Sequence, residues 1–403
     1  MIANGSCCSI CKKTSSATSN VNVDAFGRLR VSNPVTLFDS QNRYKLNEKF
    51  YSNTLTGGSI SYSNSESTVL LTVNSTIGST ARQESRFVFN YQPGKSLLVM
   101  NTCVLNPPVS GLVQRVGYFG SDNGYFLQLN NSTLSIVERS NAVDNVINQS
   151  AWNGDRLDGS GPSKITINTS ASQIFFTDIE WLGVGAVRTG FVIDGNYIVC
   201  NTFRHANITA RTYMTTACLP VRYEIYNTTN TTGSSTLKQI CSTVITEGGY
   251  EPKEQLFCVP GPLAGTVLSG TLVPVCSIRL ATGRLDAIAI LKQVNVAVAT
   301  NNDLAQWRLI LNGTLTGASF GTGTSGSTNI EYDTSASAIS GGRIIELGFA
   351  QTGAVNTALS SDIFEAHLGR NSFTQTSDVL TLCLVGLSSN PKTFWSLAWS
   401  ELI

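Results

Sequence analysis

Apolar and polar residues alternate with a period of two along most of this chain, in short runs broken by Gly, Asn, Asp, Ser and Pro. Ile174 to Trp181 shows the pattern: Phe175, Thr177, Ile179 and Trp181 fall on one face of a strand, and Phe176, Asp178 and Glu180 on the other. Phe191-Val192-Ile193 and Tyr197-Ile198-Val199 flank Asp194-Gly195-Asn196, which puts Asp-Gly where a tight hairpin needs positive φ. Tyr125 to Leu129 and Thr133 to Val137 flank Asn130-Asn131-Ser132 in the same way. Almost no long amphipathic helix can be drawn. The pattern predicts an all-β protein with helix below about 15% of residues, against an average of about a third.

Further strands are expected at 67–73, 85–90, 96–104, 165–168, 190–193, 197–202 and 221–226. Their spacing is that of a two-sheet, jelly-roll-like sandwich over residues 34–247. Gly248-Gly249-Tyr250-Glu251-Pro252 interrupts any ladder and marks a boundary. Beyond it, runs at 275–281, 287–298, 307–312, 343–349, 379–386 and 394–399 predict a second, smaller β-rich domain over 248–403. Gly313 to Thr328 is nearly all Gly, Ser and Thr, and is expected to be a long flexible loop or an interface segment. Residues 1–33 are small and polar and cannot bury enough apolar surface to order alone. They are expected to form an extended arm that borrows structure from a partner.

Composition narrows the setting. Only 13% of the 403 residues are charged, 41% are hydrophobic and the net charge is +1. Weak colloidal repulsion and many β-edges favour self-association or docking into a larger assembly. The balance of 27 basic and 26 acidic residues leaves no electrostatic footprint for nucleic acid or an anionic membrane. No apolar run approaches the roughly 20 residues of a membrane-spanning helix. Met1 to Ser16 lacks the apolar core of a secretory signal, so arrival by assembly is expected. The Asn-x-Ser/Thr triplets, such as those at Asn130 and Asn207, are what chance gives in so Asn- and Thr-rich a chain.

Candidate chemistry is sparse. Cys8 and Cys11 form a C-x-x-C pair beside Cys7, without a second pair or a His to complete a zinc site. Cys103, Cys200, Cys218, Cys241, Cys258, Cys276 and Cys383 are scattered among apolar runs and read as buried free thiols. His205 and His367 are the only histidines, which removes most His-based metal and triad chemistry; His205 reads as a hydrogen-bonded loop residue. No cofactor or metal is expected. Asp178 and Glu180 share one strand face, with Cα atoms about 6.5–7 Å apart. A glycosidase pair must flank the bond from opposite sides, so this acidic pair is read as non-catalytic. Tyr118, Phe119, Tyr125, Trp152, Trp181, Tyr197 and Tyr213 could line a sugar groove, although core packing is the default for rings in a sandwich.

Several long segments carry a resemblance. Asp24-Ala25-Phe26-Gly27-Arg28-Leu29-Arg30-Val31, Phe176-Thr177-Asp178-Ile179-Glu180-Trp181-Leu182-Gly183, Leu219-Pro220-Val221-Arg222-Tyr223-Glu224-Ile225 and Phe394-Trp395-Ser396-Leu397-Ala398-Trp399 are similar to stretches of uncharacterised virion structural proteins of large DNA viruses and marine bacteriophages. The resemblance implies a virion component, located in the virion, such as a minor capsid, cement, vertex or fibre-base protein, and the sparse chemistry leads to the expectation of no enzymatic activity. Its partners would be other virion proteins and copies of itself. The alternative is a host-attachment protein that binds surface glycans.

Overall fold

The computed structural model of the chain describes residues 33–251, 253–299, 303–322, 328–352, 355–358, 367–388 and 390–402. The fold is all-β: among the described residues the one helical element is a 3-10 turn at Gln149–Ala151. The first fifteen strands are β1 (Val35–Gln41), β2 (Phe50–Leu55), β3 (Ser59–Ser63), β4 (Thr68–Val73) and β5 (Thr80–Ser85). They continue with β6 (Ser96–Val104), β7 (Leu112–Phe119), β8 (Gly124–Asn130), β9 (Thr133–Ser140) and β10 (Val143–Asn148). β11 (Gln173–Ile179), β12 (Val187–Ile193), β13 (Asn196–Phe203), β14 (Val221–Asn227) and β15 (Ser235–Glu247) complete the set.

These strands make two antiparallel sheets. One runs β13-β12-β11-β6-β15-β4-β3, with β1 added on β15; the other runs β10-β9-β8-β7-β14-β5-β2. The alternation in β6 shows how sequence places the core. Leu97, Val99 and Cys103 point inward, and Leu98, Met100 and Thr102 point out. Leu71, Val99, Phe175 and Phe191 of the first sheet and Tyr118, Tyr125, Leu127 and Tyr223 of the second share one buried cluster, so the two sheets form a sandwich. Tyr223 brings a hydroxyl into this core and satisfies it on Ser242 at 2.8 Å and on the Cys241 carbonyl at 3.0 Å.

The remaining strands, between Gln255 and Leu402, make four further sheets. The two larger ones enclose a second core around Leu291, Val296, Trp307, Leu382, Leu397 and Trp399. The strand Lys392–Leu402 lies inside its sheet, paired with Gln255–Pro260 and Thr266–Val267 on one side and with Ile288–Val298 on the other.

Some expectations need correction. The strand expected at 85–90 ends at Ser85, because Arg86 and Phe87 leave the sheet to meet the second half of the chain. The Arg86 carbonyl accepts the Arg370 N–H at 2.8 Å, and the Phe87 ring stacks on His367 at 4.8 Å. Residues 165–168 form no strand, only a bridge between Asp158 and Thr166. Their loop is pinned by the Asp155 carboxylate, which accepts the N–H groups of Leu157 and Ser163. The Gly/Ser/Thr segment contains short strands at Thr314–Thr316 and Gly321–Thr322, and residues 323–327 lie outside the described ones. The arm expected over 1–33, with Cys7, Cys8 and Cys11, lies outside them too, except for Asn33. Cys103, Cys200, Cys276 and Cys383 are buried free thiols, but Cys258 is exposed.

The two halves meet through charge. Arg370, 4% exposed, bonds Glu84, 1% exposed, at 2.5 Å and Asp286 at 2.8 Å. Asp378 receives Arg86 at 2.6 Å, the Tyr51 hydroxyl at 2.7 Å and the Asn312 amide at 2.8 Å. Val88 from the first half packs with Ile288 and Ile290 from the second. Burial at this junction pushes the His367 imidazole down to about 4 from 6.5, with the Asp378 charge opposing. Between those two values the unfolded chain binds a proton that the folded one refuses. The contribution is therefore intact above pH 6.5 and is lost as pH falls towards about 4. The denaturant midpoint should drop over that window, and His367→Phe should remove that part of the drop.

Candidate functional site

The candidate site lies on the outer face of the first sheet. Register lines up the outward side chains in rows. Leu98, Asp178, Arg188 and Thr202 form one row, and Met100, Phe176, Gly190 and Val199 the next. A third row contains Thr102, Ile174, Val192 and Tyr197. Gly190 is there because the strands approach too closely for a side chain. A Cβ at this position would lie 1.9 Å from the Ile198 carbonyl oxygen, beside the bulge between β12 and β13.

At the Asp178 end of this face a groove of about 580 Å³ opens, lined among others by Lys95, Asp178, Glu180, Arg188, Arg204 and Glu247. Three carboxylates and three cations converge there from β11, β12, β15 and the connecting segments. Arg188 holds Asp178 from across the ladder through both Nε, at 3.0 Å, and Nη2. Lys95 donates to Gln92 at 2.8 Å. Glu180 follows the end of β11, and its N–H donates to the Ala186 carbonyl at 3.1 Å, closing the turn that carries both residues. Such a set presents hydrogen-bond donors and acceptors side by side, which suits a polyhydroxylated ligand better than an anion or a cation.

Tyr197 lies on the same face, four residues along the hairpin from Arg188 or about 13 Å by strand rise. Its side chain is 53% exposed, and its ring meets Phe176 edge-on at 5.2 Å. The Tyr197 hydroxyl points to the Met100 sulfur at 3.6 Å. Of the seven rings singled out from sequence, Tyr118, Phe119, Tyr125, Trp152 and Tyr213 are buried, Trp181 is half-buried against Tyr91, and Tyr197 alone is exposed. Asp178 and Glu180 do share the groove, as their spacing suggested. Lys95, Arg188, Arg204 and Glu247 were missed. Lys95 and Glu247 are brought in by the β6–β11 and β6–β15 pairings, which no local pattern announces; Arg188 and Arg204 come with the β11–β12 and β12–β13 hairpins.

His205 is a hydrogen-bonded loop residue, as expected. Its Nδ1 lies 2.7 Å from the Gly185 carbonyl and its Nε2 lies 2.6 Å from Glu138 Oε1. The Tyr213 ring stacks on it at 3.7 Å. A second concavity, of about 880 Å³, lies at the junction of the two halves. Its charges are largely spent on one another: Lys45 and Arg343 pair with Glu48, Lys49 with Asp39 and Arg86 with Asp378. No metal-ligating cluster of His, Cys, Asp and Glu occurs among the described residues.

No family model matches the chain, and no curated protein is similar to it. Among solved structures it is similar to an uncharacterised protein from Mycobacterium paratuberculosis, at 8% identity and a TM-score of 0.37, over 52% of this chain and 99% of that one. It is similar to the Bacillus licheniformis β-glucanase at 10% identity and a TM-score of 0.33, over 53% and 98% of the two chains. Peanut lectin is similar at 11% identity and a TM-score of 0.33, over 53% and 97%.

Proposed function

We propose that this protein binds glycans on the outer face of its first sheet. The observation that carries the reading is the exposed Tyr197 ring on the same face as a groove lined by both carboxylates and cations. Aromatic rings stack on the apolar faces of sugars, while charged groups bond their hydroxyls. The proposal is of binding without hydrolysis, since the Asp178 carboxylate is engaged by Arg188. In a virion, the setting implied by the sequence resemblance, such a face would serve attachment to a host surface. The copy number in purified particles tests that setting.

A glycan array probed with the full chain should give a restricted set of binders. For these, Tyr197→Ala and Arg204→Ala should each weaken affinity about tenfold or more, roughly 1.4 kcal/mol. Tyr118→Phe, changed in the core, should leave affinity intact. A blank array, or binding indifferent to both substitutions, would sink the reading. Release of reducing ends by wild type and not by Glu180→Gln would replace it with a glycosidase.

A further inference from the structure

We infer that His205 and Glu138 are a positioning pair for this groove, holding the Glu180–Ala186 turn as an imidazolium bonded to a carboxylate, and that the turn is released as pH rises. The inference rests on the glycan-binding reading only for the ligand. Both ring nitrogens of His205 face acceptors: a backbone carbonyl at Nδ1 and a carboxylate at Nε2. A neutral imidazole carries one N–H and can satisfy one of these; the imidazolium satisfies both. Glu138 Oε1 also accepts the Tyr125 hydroxyl at 2.5 Å, and Oε2 accepts the Asn145 amide at 3.3 Å, so the carboxylate has the donors of an ion.

The pair is linked directly to the groove walls. The residue held by Nδ1, Gly185, precedes the groove-lining Ala186, and its own N–H donates to the Trp181 carbonyl at 2.7 Å inside the turn. The residue before His205 is the groove-lining Arg204. One imidazole therefore fixes the turn after β11 and the segment after β13 against each other. Neither His205 nor Glu138 is more than 9% exposed.

The groups facing this imidazole are Glu138 from β9, the Tyr125 phenol from β8 and the stacked Tyr213 phenol from the segment before β14, with Glu180 and Tyr91 beyond Tyr213. Burial raises the two stacked or bonded phenols, and the Glu138 charge adds to this, so they stay neutral. For His205, burial lowers the pKa, but the Glu138 hydrogen bond, the Gly185 carbonyl and the Glu138 charge outweigh it and leave it above 6.5. For Glu138, burial raises the pKa, and the His205 and Tyr125 bonds bring it below 4.5. A raised His gives a contribution that is full below its unfolded value and lost as pH climbs through its folded value. The depressed Glu bounds the same window on the acid side.

The test needs no ligand. Backbone amide exchange of the full chain, corrected for the intrinsic pH dependence, would be followed at the Glu180 and Gly185 amides from about pH 6 to about pH 9. Protection there should fall about tenfold in wild type, while amides of the β4 core strand change little. His205→Gln, which cannot titrate, should remove the pH dependence. Glu138→Gln, whose amide can donate to Nε2 while the Nδ1–H of a neutral imidazole still serves the Gly185 carbonyl, should hold the turn across the whole range. Protection that stays flat in wild type, or falls equally in His205→Gln, would overturn the inference. A blank glycan array beside a pH-dependent turn would discard the glycan reading and keep this one.

Discussion

Arg370→Met is expected to lower the unfolding free energy by about 3–5 kcal/mol, because it leaves a buried carboxylate short of its closest cation. Glu84 is 1% exposed and receives Arg370 at 2.5 Å; its other cation, Arg222, is farther away at 3.3 Å. The same substitution releases Asp286 at the surface, where the loss is small. Urea unfolding followed by intrinsic fluorescence is the measurement. A decrease below about 1 kcal/mol would show that Arg222 alone satisfies Glu84 and that the junction relies on its apolar contacts. Arg370→Lys should recover only part of the loss, since a point charge cannot reach Glu84 and Asp286 with separate nitrogens of one planar fork.

Phe175→Ala should cost about 3–5 kcal/mol by opening a cavity between the two sheets. Phe175 is fully buried and meets Phe191 edge-on at 5.6 Å. Two residues along the same face Thr177 is also buried, so the gap has little freedom to fill with water. Binding at the outer face, measured at a temperature where the variant is folded, should change far less than stability. A larger effect on binding than on stability would mean that core and face are coupled through β11.

β11 is also where the sequence was most legible. Its alternation places Phe175, Thr177 and Ile179 inside and Asp178 outside, as the pattern requires. The hairpin turn at Asp194-Gly195 likewise has positive φ at both residues, 49° and 76°. β7 was illegible for a physical reason. It is buried on both faces, because Arg115 reaches over the outer face of its sheet to stack on the Phe126 and Tyr226 rings, so its apolar and polar residues do not alternate. Part of the groove was legible in the same way as β11, through Asp178 and Glu180. Lys95 and Glu247 depend on which distant strands become neighbours, whereas Arg188 and Arg204 arrive with consecutive hairpins. Glu138 and His205 are separated by 67 residues, and nothing near either one announces the other.

The inside position of the Lys392–Leu402 strand carries a consequence for the order in which the protein can be made. The first sandwich has all its strands once Glu247 has left the ribosome, and it can close while the rest is still being synthesised. The second has no such option: Gln255–Pro260 and Ile288–Val298 do not pair with each other and wait for a strand that begins at Lys392. Such delay exposes apolar edges during synthesis, as β4 and β6 of the first sandwich are exposed until β15 arrives between them. Through that interval Glu84 is not left bare, since Arg222 belongs to the first sandwich and can hold it until Arg370 arrives.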